Sequence, residues 1–356
     1  MQDSNEKQDS SAVKHSGQQK AQGGNNGRQP MTRSNKVWGY AAGVITGVTY
    51  GLNPMFAMPL LKSGISVDSV LFFRYFFAAA ILCIFVVASG KSLKVTGKQL
   101  IWLIALGILY SFSSLGLFLS YKYIPSGIAT TIVFLYPIIV ALIMCLLKVY
   151  PNWQTWVAIA VTVVAMILLC RFDPSQGFKP QGVLVAIGSA LAYSIFIVIV
   201  NRKECLHDIS NDVLTFYALA TGTVVFCIHS IISQATAGAS DMAAEGAGFT
   251  MLRDIRLLNA HPGEWINLIL LAIIPTIIST STLAAATRII GATKASVMGV
   301  FEPVTAILVG ALMFGEKITV NVVIGILLVI FAITFMITSP DFHRLKTRFA
   351  NLKAHN

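Results

Sequence analysis

The sequence contains few charged residues. Only 12% of its 356 residues are Asp, Glu, Lys or Arg, which is about half the share found in a typical soluble domain. Hydrophobic residues make up 55% of the chain, and the mean hydropathy is +0.73. A chain with so few polar groups cannot cover a water-facing surface. This composition therefore excludes a soluble enzyme and a disordered protein, and it indicates an integral membrane protein.

Cysteines and catalytic motifs are also scarce. His229 is the only histidine within an apolar stretch, and the motifs of metalloproteases, serine hydrolases and P-loop nucleotide hydrolases are absent. We therefore expect no catalytic residues, no metal, no cofactor and no ATP-driven step within this chain. The cysteines are widely separated and form no C-x-x-C pair, which favours neither a zinc site nor a disulfide framework; they are Cys83, Cys145, Cys170, Cys205 and Cys227.

Long apolar stretches recur along the chain. A bilayer core needs roughly 20 apolar residues per helix. Runs such as 137–147 and 322–336 are apolar on every face, which is typical of membrane helices and not of barrel strands. We predict an all-α integral membrane protein with ten transmembrane helices. The predicted spans are 37–61, 67–89, 99–120, 127–148, 152–170, 181–200, 212–233, 264–286, 293–314 and 318–338.

Lysine and arginine are distributed unevenly between the predicted loops. An even number of spans places both termini on one side. If that side is cytoplasmic, most of the 26 lysines and arginines lie there, together with the whole net charge of +11, as the positive-inside rule requires. We predict cytoplasmic termini, a lipid bilayer as the partner of the apolar surface, and no nucleic-acid partner.

Composition divides the chain into four parts. Residues 1–36 are polar and predict a disordered cytoplasmic tail. Residues 37–170 and 181–338 each hold five predicted spans, and the second group contains a long outer loop, 234–262. Residues 339–356 predict a basic cytoplasmic tail.

The second five spans repeat features of the first five. Span 1 has a small residue at every fourth position beside Tyr50, and the same stripe recurs 143 residues later beside Tyr193. Tyr136-Pro137 corresponds to Glu302-Pro303 at an offset of 166, which places a 23-residue insertion in the outer loop. Five spans is an odd number, so the two halves enter the membrane in opposite directions. Such an inverted repeat is typical of secondary transporters, whereas each small stripe alone also fits plain helix packing. Other equivalent pairs are Gly39 and Gly182, Gly51 and Ser194, and Ile124 and Ile290.

Several motifs, taken in order, resemble those of the EamA-like branch of the drug/metabolite transporter (DMT) superfamily. They are YGLNP at 50–54, FRYF at 73–76, YKYIPSGIA at 121–129, GATKAS at 291–296 with Glu302-Pro303, and GEKIT at 315–319. The resemblance covers about 37–338. It implies a ten-helix inverted-repeat transporter, often an exporter of amino acids or other small metabolites, and we expect it in a bacterial inner membrane.

Two ionisable side chains, Arg74 and Glu302, lie clearly within predicted spans. Charges at that depth are expensive and are candidates for function. Their similar heights in the bilayer would allow an ion pair if their helices face each other. Glu302, beside the helix-kinking Pro303, is a candidate for coupling or gating, and so is Arg74, which would also suit a substrate carboxylate. The alternatives are a structural cap for Glu302 and an interfacial anchor for Arg74.

Polar side chains within the apolar spans are the other candidates for a substrate site. Each one alone also fits a hydrogen bond between helices. The candidate substrate-binding residues are Tyr50, Asn53, Arg74, Tyr110, Ser114, Tyr136, Tyr193, Ser279 and Glu302.

These observations predict a secondary active transporter, an exporter of small organic metabolites such as amino acids. It would work by alternating access with a central site between the two repeats. Its partners would be a small-molecule substrate and, if Glu302 couples transport, protons. The alternatives are an uncoupled facilitator or exchanger of the same fold and, from a different class, an intramembrane enzyme or a membrane scaffold. A monomer fits the sequence, which leaves the oligomeric state open.

Overall fold

The computed structural model describes residues 33–120, 123, 124, 129, 132–169, 180–236, 262–314 and 319–337. The chain divides into two units, Met1–Lys36 and Val37–Asn356, and the second unit contains the features discussed below. The predicted C-terminal tail, almost all of the N-terminal tail and most of the loop 234–262 lie outside the described residues.

The described residues form helices and no strand. A 3-10 turn, Glu204–Leu206, and a π-helical segment, Ile273–Ile278, accompany the α-helices. The α-helices are α1 (Arg33–Gly51), α2 (Asn53–Lys62), α3 (Val67–Ala88), α4 (Gly97–Ser120), α5 (Tyr136–Leu146), α6 (Trp153–Leu169), α7 (Pro180–Arg202), α8 (Asn211–Thr236), α9 (Pro262–Ala272), α10 (Ser279–Ile290), α11 (Ala292–Met298), α12 (Phe301–Phe314) and α13 (Val320–Ile337).

Eight helical stretches in the described part of the chain are long and apolar enough to cross a membrane. The sequence predicts ten, and the difference lies in the fourth and fifth predicted spans. There α5 and α6 are strongly apolar but have only 11 and 17 residues. Pro137 stands in the first turn of α5, where its missing N–H costs nothing, which favours a helix start at that point. The chain is an integral membrane protein with at least eight helices of spanning length.

Three of the predicted spans are interrupted. A turn at Leu52 separates α1 from α2, and a turn at Gly299 and Val300 separates α11 from α12. Between α9 and α10 the helix widens into the π-helical segment around Pro275, which cannot donate a backbone hydrogen bond. The Thr276 hydroxyl donates to the Leu271 carbonyl at 2.8 Å and so satisfies one acceptor there. These breaks place polar backbone groups within the membrane segments.

Helices from the two halves pack on each other in matching pairs. In the sequence repeat, α4 is equivalent to the span that begins with α9, and α7 is equivalent to the span that contains α2. The contact between α4 and α7 therefore corresponds to the contact between α9 and α2, and both pairs pack closely. The pairs α3–α8 and α6–α13 each join equivalent spans of the two halves. Much of the core therefore lies between the halves.

Individual contacts recur at equivalent positions. A Cβ on Gly39 would lie 2.6 Å from Ile290 Cγ2, and a Cβ on Gly182 would lie 2.9 Å from Ile124 Cγ2. Both pairs are related by the offsets of the sequence repeat. The equivalent pairs Ser113–Ser189 and Ser279–Thr46 are also hydrogen-bonded, with donor and acceptor exchanged: the Ser189 hydroxyl donates to the Ser113 carbonyl at 2.6 Å, and the Ser279 hydroxyl donates to the Thr46 carbonyl at 3.2 Å.

Replacing Gly182 with leucine is expected to destabilise the protein. The new side chain would overlap Ile124 and the Cβ of Tyr123, which lies 2.7 Å from an added Cβ, and overpacking of this kind costs about 1–3 kcal/mol. Gly188→Leu, on the same helix, is the matched control, because a Cβ there meets nothing within 4 Å. Thermal unfolding in detergent should show a lower midpoint for Gly182→Leu alone. Equal midpoints would contradict the close approach of α7 to this segment.

Candidate functional site

A cavity lies where both halves of the chain meet, and it is called the central cavity below. Its volume is small, about 30 Å³. The first half contributes residues of α1, α4, α5 and the stretch before α5, and the second half contributes residues of α7 and α12. The lining residues are Tyr50, Tyr110, Ser113, Ser114, Leu117, Val133, Phe134, Tyr136, Tyr193 and Glu302.

Hydrogen bonds between helices fix two of the lining tyrosines. The Tyr110 hydroxyl pairs with the Thr280 hydroxyl of α10 at 3.1 Å. The Tyr136 hydroxyl donates to the Ser296 carbonyl of α11 at 2.9 Å. Each bond joins the first half of the chain to the second. Both hydroxyl groups are therefore engaged at the boundary between the two halves.

Tyr193 contacts the same aromatic group. Its ring meets that of Tyr136 edge to face, with centroids 5.0 Å apart, and it is parallel to that of Phe196 at 6.2 Å. Tyr110 lies 6.4 Å from Tyr193 between ring centroids. In the part of the chain that is described, the Tyr193 hydroxyl makes no hydrogen bond. Aromatic packing of this kind holds the rings in place without using that hydroxyl.

Glu302 provides the charge in the cavity lining. It lies in the first turn of α12, where the helix dipole interacts favourably with an acidic side chain. Its backbone N–H donates to the Gly299 carbonyl at 2.9 Å across the turn that precedes the helix. Among the described residues, no hydrogen bond or ion pair is formed by its carboxyl group. The side chain is half-buried and faces the cavity.

Arg74 lies behind the cavity wall. The residue is 2% exposed; its Nε donates to the Thr276 hydroxyl at 2.6 Å and its NH2 group donates to the Pro275 carbonyl at 3.3 Å. The guanidinium carbon lies 5.6 Å from the centroid of the Tyr50 ring. The ion pair with Glu302 that the sequence allowed is not formed. Arg74 instead satisfies the polar groups exposed by the π-helical segment.

The structure brings six of the candidate residues together on the cavity wall and places the others elsewhere. Ser279 is buried and donates to the Thr46 carbonyl, and Asn53 begins α2 with its side-chain oxygen buried and without a partner. Pro303 is buried in the first turn of α12. The six that line the cavity are Tyr50, Tyr110, Ser114, Tyr136, Tyr193 and Glu302.

Three lining residues carry no signal in the sequence. Leu117, Val133 and Phe134 are apolar. In a membrane protein the same apolar residue types occur at positions that face lipid, the protein core or a cavity. Only the helix orientations distinguish these environments. Among the described residues, no group of three or more potential metal ligands occurs.

A polar and aromatic cavity between membrane-spanning helices is typical of integral membrane transporters. The profile of the EamA-like transporter family matches residues 37–171 and, a second time, residues 180–338. The chain therefore belongs to the EamA-like transporter family of the DMT superfamily, which confirms the resemblance seen in the sequence.

Curated relatives include several transporters. An uncharacterized transporter of Synechocystis is 25% identical over 62% of this chain and 61% of its own length. S-adenosylmethionine uptake transporters of Rickettsia prowazekii and Rickettsia bellii are 26% and 27% identical over 44% of this chain and 52% of theirs. The chain thus spans about half to three fifths of the length of these relatives.

A crystal structure among the solved structures that match shares the fold. It superposes with a TM-score of 0.63 at 16% identity, covering 85% of this chain and 97% of its own. At this identity the similarity shows the fold alone. The family and the relatives' names indicate a transporter and not an enzyme.

Proposed function

We propose that the protein is a secondary active transporter of small organic metabolites that works by alternating access. Its substrate site would be the central cavity. The observation that carries this proposal is that residues of both halves enclose one cavity, with Tyr50, Tyr110 and Tyr136 from the first half and Tyr193 and Glu302 from the second. Two halves that share a site can expose it to either side by rocking against each other.

The ten-helix inverted repeat is part of this proposal. The two family matches and the equivalent contacts support two similar halves, for example Gly39 with Ile290 and Gly182 with Ile124. Gly51 and Ser194 add a third pair: a Cβ on Gly51 would lie 2.5 Å from the Glu302 carbonyl, and the Ser194 hydroxyl donates to the Tyr136 carbonyl at 3.3 Å. With α5 and α6 counted as short spans, each half has five spans, so the halves have opposite orientations.

The test is saturable flux into proteoliposomes compared with empty liposomes. Amino acids and S-adenosylmethionine, which the Rickettsia relatives are named for, are the first solutes to offer. Flux that saturates and is counter-stimulated by solute on the far side supports a carrier. Hydrolytic activity in detergent without flux would support the intramembrane enzyme instead.

We also propose a direction of transport and an energy source for it. The family resemblance implies export, whereas the Rickettsia relatives are named for uptake. We propose export coupled to protons through Glu302, with an uncoupled facilitator or exchanger as the alternative. Flux measured with and without an imposed proton gradient, in vesicles of known orientation, separates these cases.

Both termini are expected on the cytoplasmic side of a bacterial inner membrane. Cysteines introduced at Lys20 and Leu345, in a chain whose own cysteines are replaced by serine, should react with an impermeant maleimide only after the cells are opened. The excess of lysine and arginine in the corresponding loops is the physical reason. Labelling of either position on intact cells would overturn the orientation.

A further inference from the structure

We propose that the segment 203–210, which joins α7 to α8, is a latch that keeps the central cavity closed towards the cytoplasm. The segment contains the 3-10 turn Glu204–Leu206 and is called the 203–210 latch below. The inference rests on the proposed transport function, for which it names a closing device. Its sidedness follows from the proposed cytoplasmic termini.

Arg288 of α10 binds the backbone of the latch. Its guanidinium group donates to the Ile209 carbonyl at 2.6 Å and to the Leu206 carbonyl at 2.8 Å. The side chains of Leu206 and Ile209 are buried in the core. Hydrogen bonds from a charged donor are stronger than those between neutral groups. One arginine therefore fixes the main chain of the latch at the two residues that insert into the core.

The first half of the chain holds the latch from another side. The Gln99 side-chain amide donates to the Cys205 carbonyl at 2.9 Å. Lys203 Nζ lies 3.8 Å from the centroid of the Trp102 ring, within the range of a cation–π contact. Gln99 and Trp102 belong to α4, whereas Arg288 belongs to α10. A rocking motion that separates the two halves on this side has to break one of these sets of contacts.

The latch lies at one end of the central cavity. On each of three helices, a residue that contacts the latch lies eight residues from a cavity-lining residue or from the partner of one. These pairs are Trp102 and Tyr110 on α4, Asn201 and Tyr193 on α7, and Arg288 and Thr280 on α10. Eight helical residues span about 12 Å, so the three helices agree on the depth of the latch below the cavity.

The layer between the cavity and the latch is apolar. On the same three helices, the residues between the paired positions include the buried side chains of Leu106, Ile197 and Leu283. The latch contacts therefore lie beyond an apolar layer, on one side of the cavity. Opening on that side requires the latch and this layer to separate together.

The equivalent linker in the proposed inverted repeat is held differently. It joins α2 to α3 and lies on the opposite face. Its Ile65 packs with Leu268 and Leu271 of α9, the counterpart of α4, in an apolar cluster. Apolar contacts have no fixed direction, whereas the hydrogen bonds of Arg288 and Gln99 need a defined geometry. The two faces thus differ in chemistry, and the polar contacts lie on the side of the latch.

The closed latch contains one unsatisfied donor. Among the described residues, Arg288 Nε is buried and has no hydrogen-bond partner. A buried donor without a partner destabilises the state that buries it, and opening would expose this donor to water. The penalty offsets part of the stabilisation by the two guanidinium bonds. Open and closed states can then be close in free energy, as a two-state element requires.

The test is the rate at which a thiol in the central cavity reacts from the cytoplasmic side. Leu117→Cys, in a chain whose own cysteines are replaced by serine, is exposed to an impermeant methanethiosulfonate reagent in inside-out vesicles. Serine at position 205 leaves the backbone carbonyl that Gln99 binds in place. Arg288→Gln should raise the reaction rate by about tenfold, because two charge-assisted hydrogen bonds to the latch are lost.

Arg202→Gln is the matched control. Arg202 is an exposed arginine in the last turn of α7, and its replacement should leave the rate unchanged. An unchanged rate for Arg288→Gln, or an increase seen only from the outer side, would overturn the proposal.

Gln99→Glu tests the latch from α4, independently of Arg288. An ionised glutamate keeps an oxygen that accepts from the Thr96 N–H but cannot donate to the Cys205 carbonyl. The start of α4 therefore stays intact, and the rate from the cytoplasmic side should rise by less than for Arg288→Gln. If Arg288→Gln does not fold, this variant decides the matter, and a wild-type rate would overturn the latch.

A failure of this inference is distinguishable from a failure of the transport proposal, because thiol reactivity is measured without a solute. Saturable flux, with a reaction rate that depends on neither Arg288 nor Gln99, would overturn the latch and leave the carrier intact. A rate that depends on both residues, without saturable flux of any solute, would overturn the carrier and leave the latch as the closure of the cavity.

Discussion

Replacing Glu302 with glutamine is expected to remove the pH dependence of transport and to lower proton-driven flux by about tenfold or more, a difference of ~1.4 kcal/mol or above. Glu302 is the carboxyl group in the cavity lining, and glutamine preserves its volume but cannot gain or lose a proton. The titratable and charged groups around it are Arg74 and the lining tyrosines. The measurement is initial flux in proteoliposomes across a pH series.

Glu264→Gln is the matched control for this variant. Glu264 is also an acidic residue in the first turn of a helix, but it lies at the start of α9 and contacts Asn267. Its replacement should leave the pH profile unchanged. If Glu302→Gln also retained the wild-type profile, Glu302 would be a structural residue and transport would be uncoupled from protons at this site.

Replacing Arg74 with glutamine is expected to destabilise the fold more than it changes solute affinity. The guanidinium bonds the Thr276 hydroxyl and the Pro275 carbonyl, and a hydrogen bond to a charged group contributes about 1.5–3 kcal/mol. A lower thermal midpoint and a lower maximal rate, with a similar KM, should result. Lysine at position 74 should restore the thermal midpoint only in part, because an ammonium group lacks the planar fork of the guanidinium group.

Lys98→Gln serves as the control for Arg74. Lys98 is an exposed cation in the first turn of α4, and surface changes of this kind stay within about 0.5 kcal/mol. A large rise in KM for Arg74→Gln without loss of stability would show that Arg74 binds the solute directly.

Much of the fold follows from apolar length alone. Stretches such as 67–89 and 181–200 predict helices because lipid offers no hydrogen bonds to an unpaired backbone, and α3 and α7 occupy these places. Pro54 and Pro303 mark the neighbourhood of the interruptions at Leu52 and Gly299, but the residues at which the helices end could not be located from the sequence. They depend on which neighbouring helix satisfies the freed backbone groups, and those neighbours are fixed only by packing.

Part of the lining of the central cavity was predictable at the level of residue types. Tyr50, Tyr193 and Glu302 stand out in the sequence because burying a polar group in an apolar membrane span costs free energy unless a partner or a function offsets it. The role of Arg74 could not be foreseen, because its partner is a π-helical segment that exists only once α9 and α10 are packed. Leu117 and Phe134 could not be recognised, since their composition matches that of lipid-facing positions.

Alternating access requires that the central cavity opens in turn to both sides of the membrane. It is tested most directly by Leu117→Cys, on the cavity wall, in a chain whose own cysteines are replaced. Phe112→Cys, on the same helix and 59% exposed on the outer surface of the bundle, is the control that should face lipid. We expect an impermeant thiol reagent to modify Leu117→Cys from either side of the membrane and to spare Phe112→Cys. Modification of Leu117→Cys from one side only, or from neither, would contradict alternating access.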